Sequence, residues 1–474
     1  MDSKTIPLVH GARILGVWVD DRLRFARHCN RVRQASFPKL NILRKVCSAS
    51  GAGSRASLFR FLHGWLLPTM LHGFGMFSVG GDHIKESLEP VFNQAVRIIS
   101  GAFKSSPILS LMAESGQIPF EYILCKNLTT KAIRWLSYGR DPDVPLIRRA
   151  SNLLQKYQGS LPDIAPRPEP RSRKFNSPIP QVDLSLLSKI RAGGSSAVAL
   201  SYFHHLVERK YKHLPKFYTD GSKTTDGRVG CGVFSNNASV TLALPPKCSV
   251  FSSEAFAILR AAHDLCPHSR SVIFSDSASA LKAVLAGNIK HPWISDLSAL
   301  ALQKNITLCW IPGHAGIQGN EAADRLACEG SEQEPPNIPI PSADVSHWLK
   351  EFLSVTWSNE WNRCRDNKLR EVKNCTSTWT DRKSFLERRA LTRLRIGHTR
   401  LTHGHLMEKE DPPVCHACNV QITVKHILVQ CQIYQQARTD SDLSNSLREI
   451  LSNDPDEEEK VISFLRKSNL FAEI

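Results

Sequence analysis

Between residues 213 and 332, short apolar runs alternate with helix-like stretches, and run after run stops on an acid or a glycine turn. Phe217-Tyr218-Thr219 leads into Asp220-Gly221-Ser222, and Ser271-Val272-Ile273-Phe274-Ser275 leads into Asp276. Residues 229–234 and 239–244 add two further strand patterns, and residues 305–312 run into Gly313-His314-Ala315-Gly316. Ser252-Ser253-Glu254-Ala255 opens a helix with serine as N-cap and Glu254 in the first turn. Gly319-Asn320-Glu321-Ala322-Ala323-Asp324 opens another, with Asn320 as N-cap. Strand and helix signals that alternate in this way predict an α/β or α+β domain.

Strand ends in such a sheet converge on one edge, where ligands bind. Asp220, Glu254, Asp276 and Asp324 gathered there would repel one another unless divalent cations lay between them. Hard oxygen ligands select Mg²⁺ or Mn²⁺, and two such ions about 4 Å apart activate a water and stabilise the leaving oxygen of a phosphodiester. Taken singly, an acid at a strand end is an ordinary turn residue. The ordered set is far more specific. Thr-Asp-Gly-Ser, Ser-Glu-Ala, Ser-Asp-Ser and Pro-Gly-His separated by nine residues from Asp all fall in about 105 residues.

That set resembles the type 1 ribonuclease H domain, in the version carried by non-LTR retrotransposon polyproteins. The resemblance covers about residues 213–332. It implies an α/β fold with a mixed five-stranded sheet and flanking helices. Asp220, Glu254, Asp276 and Asp324 would hold two Mg²⁺ or Mn²⁺ ions. His314, on a mobile loop, would help a proton move or the product leave. The substrate would be the RNA strand of an RNA–DNA hybrid, cut to a 3′-hydroxyl and a 5′-phosphate, with Gly221, Ser222 and Asn320 as nucleic-acid contacts. RNA would be told from DNA through its 2′-hydroxyls.

The flanks carry the charge. The chain has a formal net charge of +17. Residues 1–200 hold 28 basic and 13 acidic side chains, residues 201–330 hold 13 and 10, and residues 331–474 hold 20 and 21. A chain this basic attracts polyanions, so nucleic acid is the expected partner. Residues 8–105 look like the segment just past the palm of a non-LTR reverse transcriptase, on Leu15-Gly16-Val17, Asn41-Ile42-Leu43-Arg44 and Leu66-Leu67-Pro68-Thr69-Met70-Leu71-His72-Gly73. A strand over residues 14–19, a turn at Asp20-Asp21 and a basic helix over 25–46, kinked or split at Pro38, are expected there. No Tyr-x-Asp-Asp motif occurs, so polymerase activity is not expected of this chain. Residues 61–81 lack Asp, Glu, Lys and Arg but contain Pro68, two histidines and five glycines, which argues for a buried helical hairpin and against a membrane span.

Cys415-x2-Cys418-x7-His426-x4-Cys431 has the spacing of a closed tetrahedral zinc site and looks like the Cys-Cys-His-Cys motif that ends many non-LTR retrotransposon polyproteins. His416 is a rival ligand, but it adjoins Cys415 and would strain the site. The basic run of Arg388, Arg389, Arg393, Arg395 and Arg400 precedes it. The expected organisation is a basic helical region resembling a reverse transcriptase thumb or connection at 1–160, a Pro/Ser/Arg-rich linker at 161–212, the ribonuclease H domain at 213–332 and a second linker at 333–345. A helical region with the zinc motif at 346–440 and an acidic tail at 441–474 follow. With no secretory signal pattern and thirteen scattered cysteines, an intracellular setting, nucleus or cytoplasm, is expected. Three functions fit: a hybrid-specific ribonuclease, a weak or inactive nucleic-acid-binding transposon remnant, and another nuclease or integrase on the same fold.

Overall fold

A computed structural model describes residues 9–48, 53–78, 81–168, 178–190, 196–265, 270–288, 290–380 and 383–474. Arg171, Arg173 and Lys174 of the Pro/Ser/Arg-rich stretch lie outside the described residues. The chain forms two units. One comprises residues 1–129, 145–158 and 351–474, and the other comprises 130–144 and 159–350. No helix among the described residues is long and apolar enough to cross a membrane.

The second unit is built on a mixed α/β sheet. Its strands are β3 (Gln181–Asp183), β4 (Lys216–Lys223), β5 (Val229–Phe234), β6 (Ser239–Leu244), β7 (Ser271–Ser275) and β8 (Ile306–Trp310), in the spatial order β3-β8-β7-β4-β5-β6; β1 and β2 belong to the first unit. β3, β8, β7 and β4 run parallel, whereas β4, β5 and β6 form an antiparallel meander. Every residue of β7 and β8 is buried, as expected of parallel strands covered by helices on both faces. Phe217, Ile273, Phe274, Leu308, Ile258 and Leu281 lie in one continuous apolar core with helices Val250–Arg260 and Ala278–Leu285.

The sheet has six strands where five were expected. The additional edge strand, β3, comes from the stretch expected to be a linker. Its prolines mask an apolar pattern further on: Leu186, Phe203 and Leu206 are buried in the same core. Asp183 then accepts hydrogen bonds from Lys210 Nζ (2.8 Å) and Tyr211 Oη (2.7 Å). The two proline-rich stretches also meet each other. Ala165 N donates to Ile340 O (2.9 Å), and Ile340 N donates to Asp163 O (2.8 Å).

In the first unit, β1 (Gly11–Ile14) and β2 (Val17–Asp20) form a hairpin. The expected single strand over 14–19 is broken by Leu15 (φ 47°) and Gly16 (φ 90°), a left-handed pair that makes the two-residue turn. Asp20 closes the loop before the next helix by accepting from Arg24 N (3.0 Å) and Phe25 N (2.6 Å). That helix, Ala26–Ser48, continues through Pro38 without a break. Residues 55–77 form a chain of short helical segments that turns at Gly73 (φ 73°), where an added Cβ would lie 2.3 Å from Val17 Cγ2. The expected acidic tail is also folded: helix Pro455–Lys467 buries Val461, Ile462, Phe464 and Leu465. Its acids cluster in the first turn, where they suit the helix dipole, and its apolar face supplies core.

A buried charge network joins distant parts of this unit. Arg55 Nη1 lies 3.2 Å from Glu114 Oε2, and Arg55 Nη2 donates to Thr392 Oγ1 (2.7 Å). Thr392 Oγ1 donates to Glu114 Oε1 (3.1 Å), and Lys373 Nζ donates to Ala113 O (2.8 Å). Burial alone would raise the Glu114 carboxyl, but Arg55, Lys373 and Arg395 outweigh it and hold it below its ordinary value. Removing one partner of such a network leaves buried charge uncompensated. Glu114→Gln should therefore lower stability by about 3–5 kcal/mol, measured by urea unfolding at neutral pH. A loss under about 1 kcal/mol would mean that water reaches the network.

Candidate active site and metal centres

The parallel pairing of β4 with β7 aligns Thr219 with Ser275. β7 ends there and Asp276 follows it, whereas β4 runs on to Lys223, so Asp220 lies within β4 beside the end of β7. Glu254 arrives from helix Val250–Arg260. The N-cap of that helix is Ser249, whose side chain accepts from Ser252 N, and not Ser252 as the sequence suggested. Gly221 explains how closely this helix approaches β4. A Cβ there would lie 2.5 Å from Glu254 N and 2.4 Å from Ser253 Oγ. The Asp220-Gly221 pair thus combines a carboxylate with the vacancy that lets a second carboxylate come alongside.

Asp220, Glu254 and Asp276 each place a carboxylate oxygen within 4.8 Å of the others. Asp220 is only 8% exposed and Glu254 7%. Asp324, the fourth expected acid, stands outside this tight group and is half-buried. It projects from helix Gln318–Ser331, which lies against β5: a Cβ on Gly232 would be 2.2 Å from Ala323 O. Gly232 is paired with Asp220 in the sheet, so Asp324 comes near Asp220, and its charge acts on it.

His314 is exposed, with a left-handed backbone (φ 50°), in the loop between β8 and that helix. The preceding glycine packs on the site, since a Cβ at Gly313 would be 2.7 Å from Asp276 Oδ2. Asn320 is not the N-cap, which is Ile317. Instead it is buried, and its Nδ2 donates to Asp276 Oδ2 (3.2 Å). Trp310 Nε1 donates to Asp276 O (3.0 Å) and fixes the same turn from below, a role that no spacing in the sequence signalled. Ser222 Oγ sits 3.7 Å from Cys328 Sγ on the helix that bears Asp324.

The electrostatics of the trio are unfavourable as they stand. Burial, then the charges of Asp276 and Asp324, push the Asp220 carboxyl from its ordinary 3.8 up to about 7. Burial and Asp220 push Glu254 well above its ordinary value. Burial raises Asp276 as well, against the opposing hydrogen bond from Asn320. Glu254 Oε2 is buried with no hydrogen-bond partner. A buried, partnerless carboxylate oxygen among other carboxylates is the donor chemistry of a hard divalent cation, so the residues fit one.

The Cys/His motif also closes. Cys415, Cys418, His426 and Cys431 place their donor atoms within 4.8 Å of one another. Cys415 and Cys418 lie on a tight turn, closed by Cys415 N donating to Val420 O (2.8 Å), with Asn419 left-handed (φ 53°). His426 begins a helical turn that ends at Cys431, whose N donates to His426 O (2.7 Å). The Cys415 and Cys431 sulfurs are 3.8 Å apart, far beyond a disulfide. Two thiolates on a tetrahedral ion with Zn–S bonds of about 2.3 Å would stand about 3.8 Å apart. His426 and the Cys418 backbone N–H hold the Cys415 thiol down at about 6, so a thiolate forms readily at neutral pH. His416 is not part of the cluster.

The raised carboxylates set a pH dependence. A group whose folded pKa lies above its unfolded value binds more protons when folded, so its contribution to stability falls as pH rises between the two. For Asp220 that window runs from about 3.8 to about 7. In divalent-free buffer the melting temperature should therefore drop on going from pH 5 to pH 8, by on the order of 5 °C. Mg²⁺ should restore it at pH 8 and do little at pH 5, and Asp220→Asn should flatten the profile. A wild-type profile that is flat without Mg²⁺ would mean the three carboxylates are already solvated.

The family model of RNase H matches residues 214–332, which contain β4 to β8, the three clustered acids, Asp324 and His314. No curated protein matches the chain. The match and the sheet agree on the same segment: residues 214–332 are an RNase H domain, the kind of domain that hydrolyses the RNA strand of an RNA–DNA hybrid.

Proposed function

We propose that the chain is a metal-dependent type 1 endoribonuclease that cuts the RNA strand of RNA–DNA hybrids. The observation that carries this reading is the meeting of Asp220, Glu254 and Asp276 within 4.8 Å at the edge of the sheet. Two Mg²⁺ or Mn²⁺ ions bound there would supply an activated water and charge stabilisation for the departing 3′-oxygen. Asp220, Glu254, Asp276 and Asp324 hold the site. Asp324, half-exposed beside Asp220, completes it from the solvent side when substrate phosphate arrives. Burial of the trio keeps bulk water away from the scissile phosphate, and Asn320 and Trp310 keep Asp276 in place. His314, exposed on its loop, moves a proton at the departing oxygen. Gly221, Ser222 and Asn320 line the approach of the nucleic-acid backbone.

The Cys-Cys-His-Cys cluster is assigned to one structural zinc ion. Its four protein donors leave no open position for substrate, and it ties a turn to a helix in a part of the chain with few strands. The context we assign is the C-terminal part of a non-LTR retrotransposon polyprotein that lacks the polymerase active site. Support for it comes from the order of motifs along the chain: the basic N-terminal helices, the RNase H domain, then the Cys/His cluster.

Purified full-length protein with Mg²⁺ should cut labelled RNA in a hybrid and leave duplex RNA and duplex DNA intact. Asp220→Asn or Asp276→Asn should reduce the rate by at least about 10³-fold while the protein remains folded by circular dichroism. An uncut hybrid would favour the competing reading of a nucleic-acid-binding remnant, and cleavage of duplex DNA would favour a different nuclease on this fold. Metal analysis of the same protein should give one zinc per chain, lost in Cys418→Ser. A chain without zinc that melts normally would remove that assignment.

A further inference from the structure

Three stretches of the first unit enclose an open groove of about 610 Å³. They are the end of helix Ala26–Ser48, helix His83–Ser100 with the turn after it, and helix Phe385–Ile396. The groove is lined by five cations, Arg44, Arg97, Lys104, Arg389 and Arg393, and by no Asp or Glu. Among the described residues, none of the five pairs with a side-chain carboxylate. Arg44 Nη1 donates to Asn41 Oδ1 (2.6 Å) and Arg97 Nη2 to Ser106 O (3.3 Å), bonds that orient the guanidinium groups without cancelling their charge. Arg393 donates from Nε to Gly101 O (2.9 Å) and from Nη1 to Ile474 O (2.7 Å). Burial and the neighbouring Arg389 lower Arg393 to about 10, which still leaves it charged at neutral pH.

The groove is also apolar between its charges. Phe385 is half-buried in it, and Leu386 is 51% exposed. A soluble surface gains nothing from concentrating unpaired cations around exposed apolar side chains, because the cations repel one another and the apolar groups stay wet. A duplex would satisfy the cations but keep its base faces stacked inside. An acidic peptide would satisfy the cations but bring no flat apolar face. A single strand brings both: a negative charge on every nucleotide and an open base between charges. Four of the five cations are arginines, whose planar forks suit phosphate oxygens.

We propose that this groove binds single-stranded nucleic acid, with phosphates on the arginines and bases against Phe385 and Leu386. The site lies in the unit that does not contain the RNase H domain, so the proposal stands or falls apart from hydrolysis.

The test uses the full chain without added Mg²⁺, so that hydrolysis is suppressed and bound zinc is kept, and reads fluorescence anisotropy of a labelled 20-nucleotide RNA and of the DNA of the same sequence. Arg44 and Lys104 are exposed, so Arg44→Ala with Lys104→Ala should leave the melting temperature unchanged. The pair should weaken binding on the order of tenfold at 0.1 M salt and make the slope of log K against log salt shallower by about 1.4. Phe385→Ala should weaken binding by about tenfold with the slope unchanged, because stacking and not charge is lost. A higher affinity for RNA or for DNA identifies which strand the groove takes. Unchanged affinity in the alanine pair overturns the proposal, as does a poly-glutamate peptide that competes as well as the oligonucleotide at equal charge.

Discussion

Three carboxylates that repel one another are held together by packing that leaves them little freedom to part. The contact between helix Val250–Arg260 and β4 at Gly221 brings Glu254 to Asp220, and the parallel pairing of β4 with β7 brings Asp276. Neither contact can relax without unpacking the core beneath it, where Ile273, Phe274 and Ile258 are fully buried. The apolar burial of the domain therefore opposes the repulsion of the site, and a divalent cation relieves the strain that packing imposes. Gly230 and Gly232 do the same for the other wall. Both would clash with the backbone of helix Gln318–Ser331 if they carried side chains, so the helix that holds Asp324 can lie directly on β5.

The first unit depends on a different constraint. Its N-terminal helices and its C-terminal segment belong to one body although the RNase H domain separates them in sequence. Glu114 lies at the junction, reached by Arg55 from one segment and by Lys373 and Thr392 from the other. Buried charges of this kind favour one arrangement over its rivals, because any other register leaves them unpaired. The same C-terminal segment holds Arg395, fully enclosed, which donates to Leu451 O (3.0 Å) and Glu458 Oε1 (2.9 Å). Arg395 of the basic run is therefore internal structure, whereas Arg389 and Arg393 of the same helix line an open groove.

What was legible in the sequence was legible because backbone geometry enforces it. A serine before a helix and Cys-x2-Cys on a turn are local patterns with local causes. The strand stop expected at Asp220-Gly221 is not there, because pairing with β5 carries β4 on to Lys223. The exact caps were not legible. Ser249, Ser252 and Ser253 are all competent N-caps, and it is Ser249 that accepts from Ser252 N, so the helix starts earlier than the serine pair suggests. Asn320 reads as a cap for the same reason, yet its amide is drawn to Asp276, a contact fixed by tertiary proximity. β3 was lost among prolines because three residues on a sheet edge carry too little pattern to be read. The acidic C-terminus was misread because the charges of Asp454 to Glu459 precede, and hide, the apolar face of the helix they initiate.

Charge is unevenly distributed along the chain. On the proposed function the RNase H segment must draw a polyanion towards a cluster of carboxylates, and residues 201–330 bring an excess of only three basic side chains to that task. Coulomb repulsion between bare carboxylates and phosphates opposes the encounter until metal ions are in place. On that reading residues 1–200, with 28 basic and 13 acidic side chains, would supply the long-range attraction that residues 201–330 lack. Such attraction is screened beyond about 10 Å at 0.1 M salt, so it governs capture and not the chemical step. Salt would then weaken substrate capture well before it disturbs the buried carboxylates, and the two effects separate as a rise in KM at constant kcat.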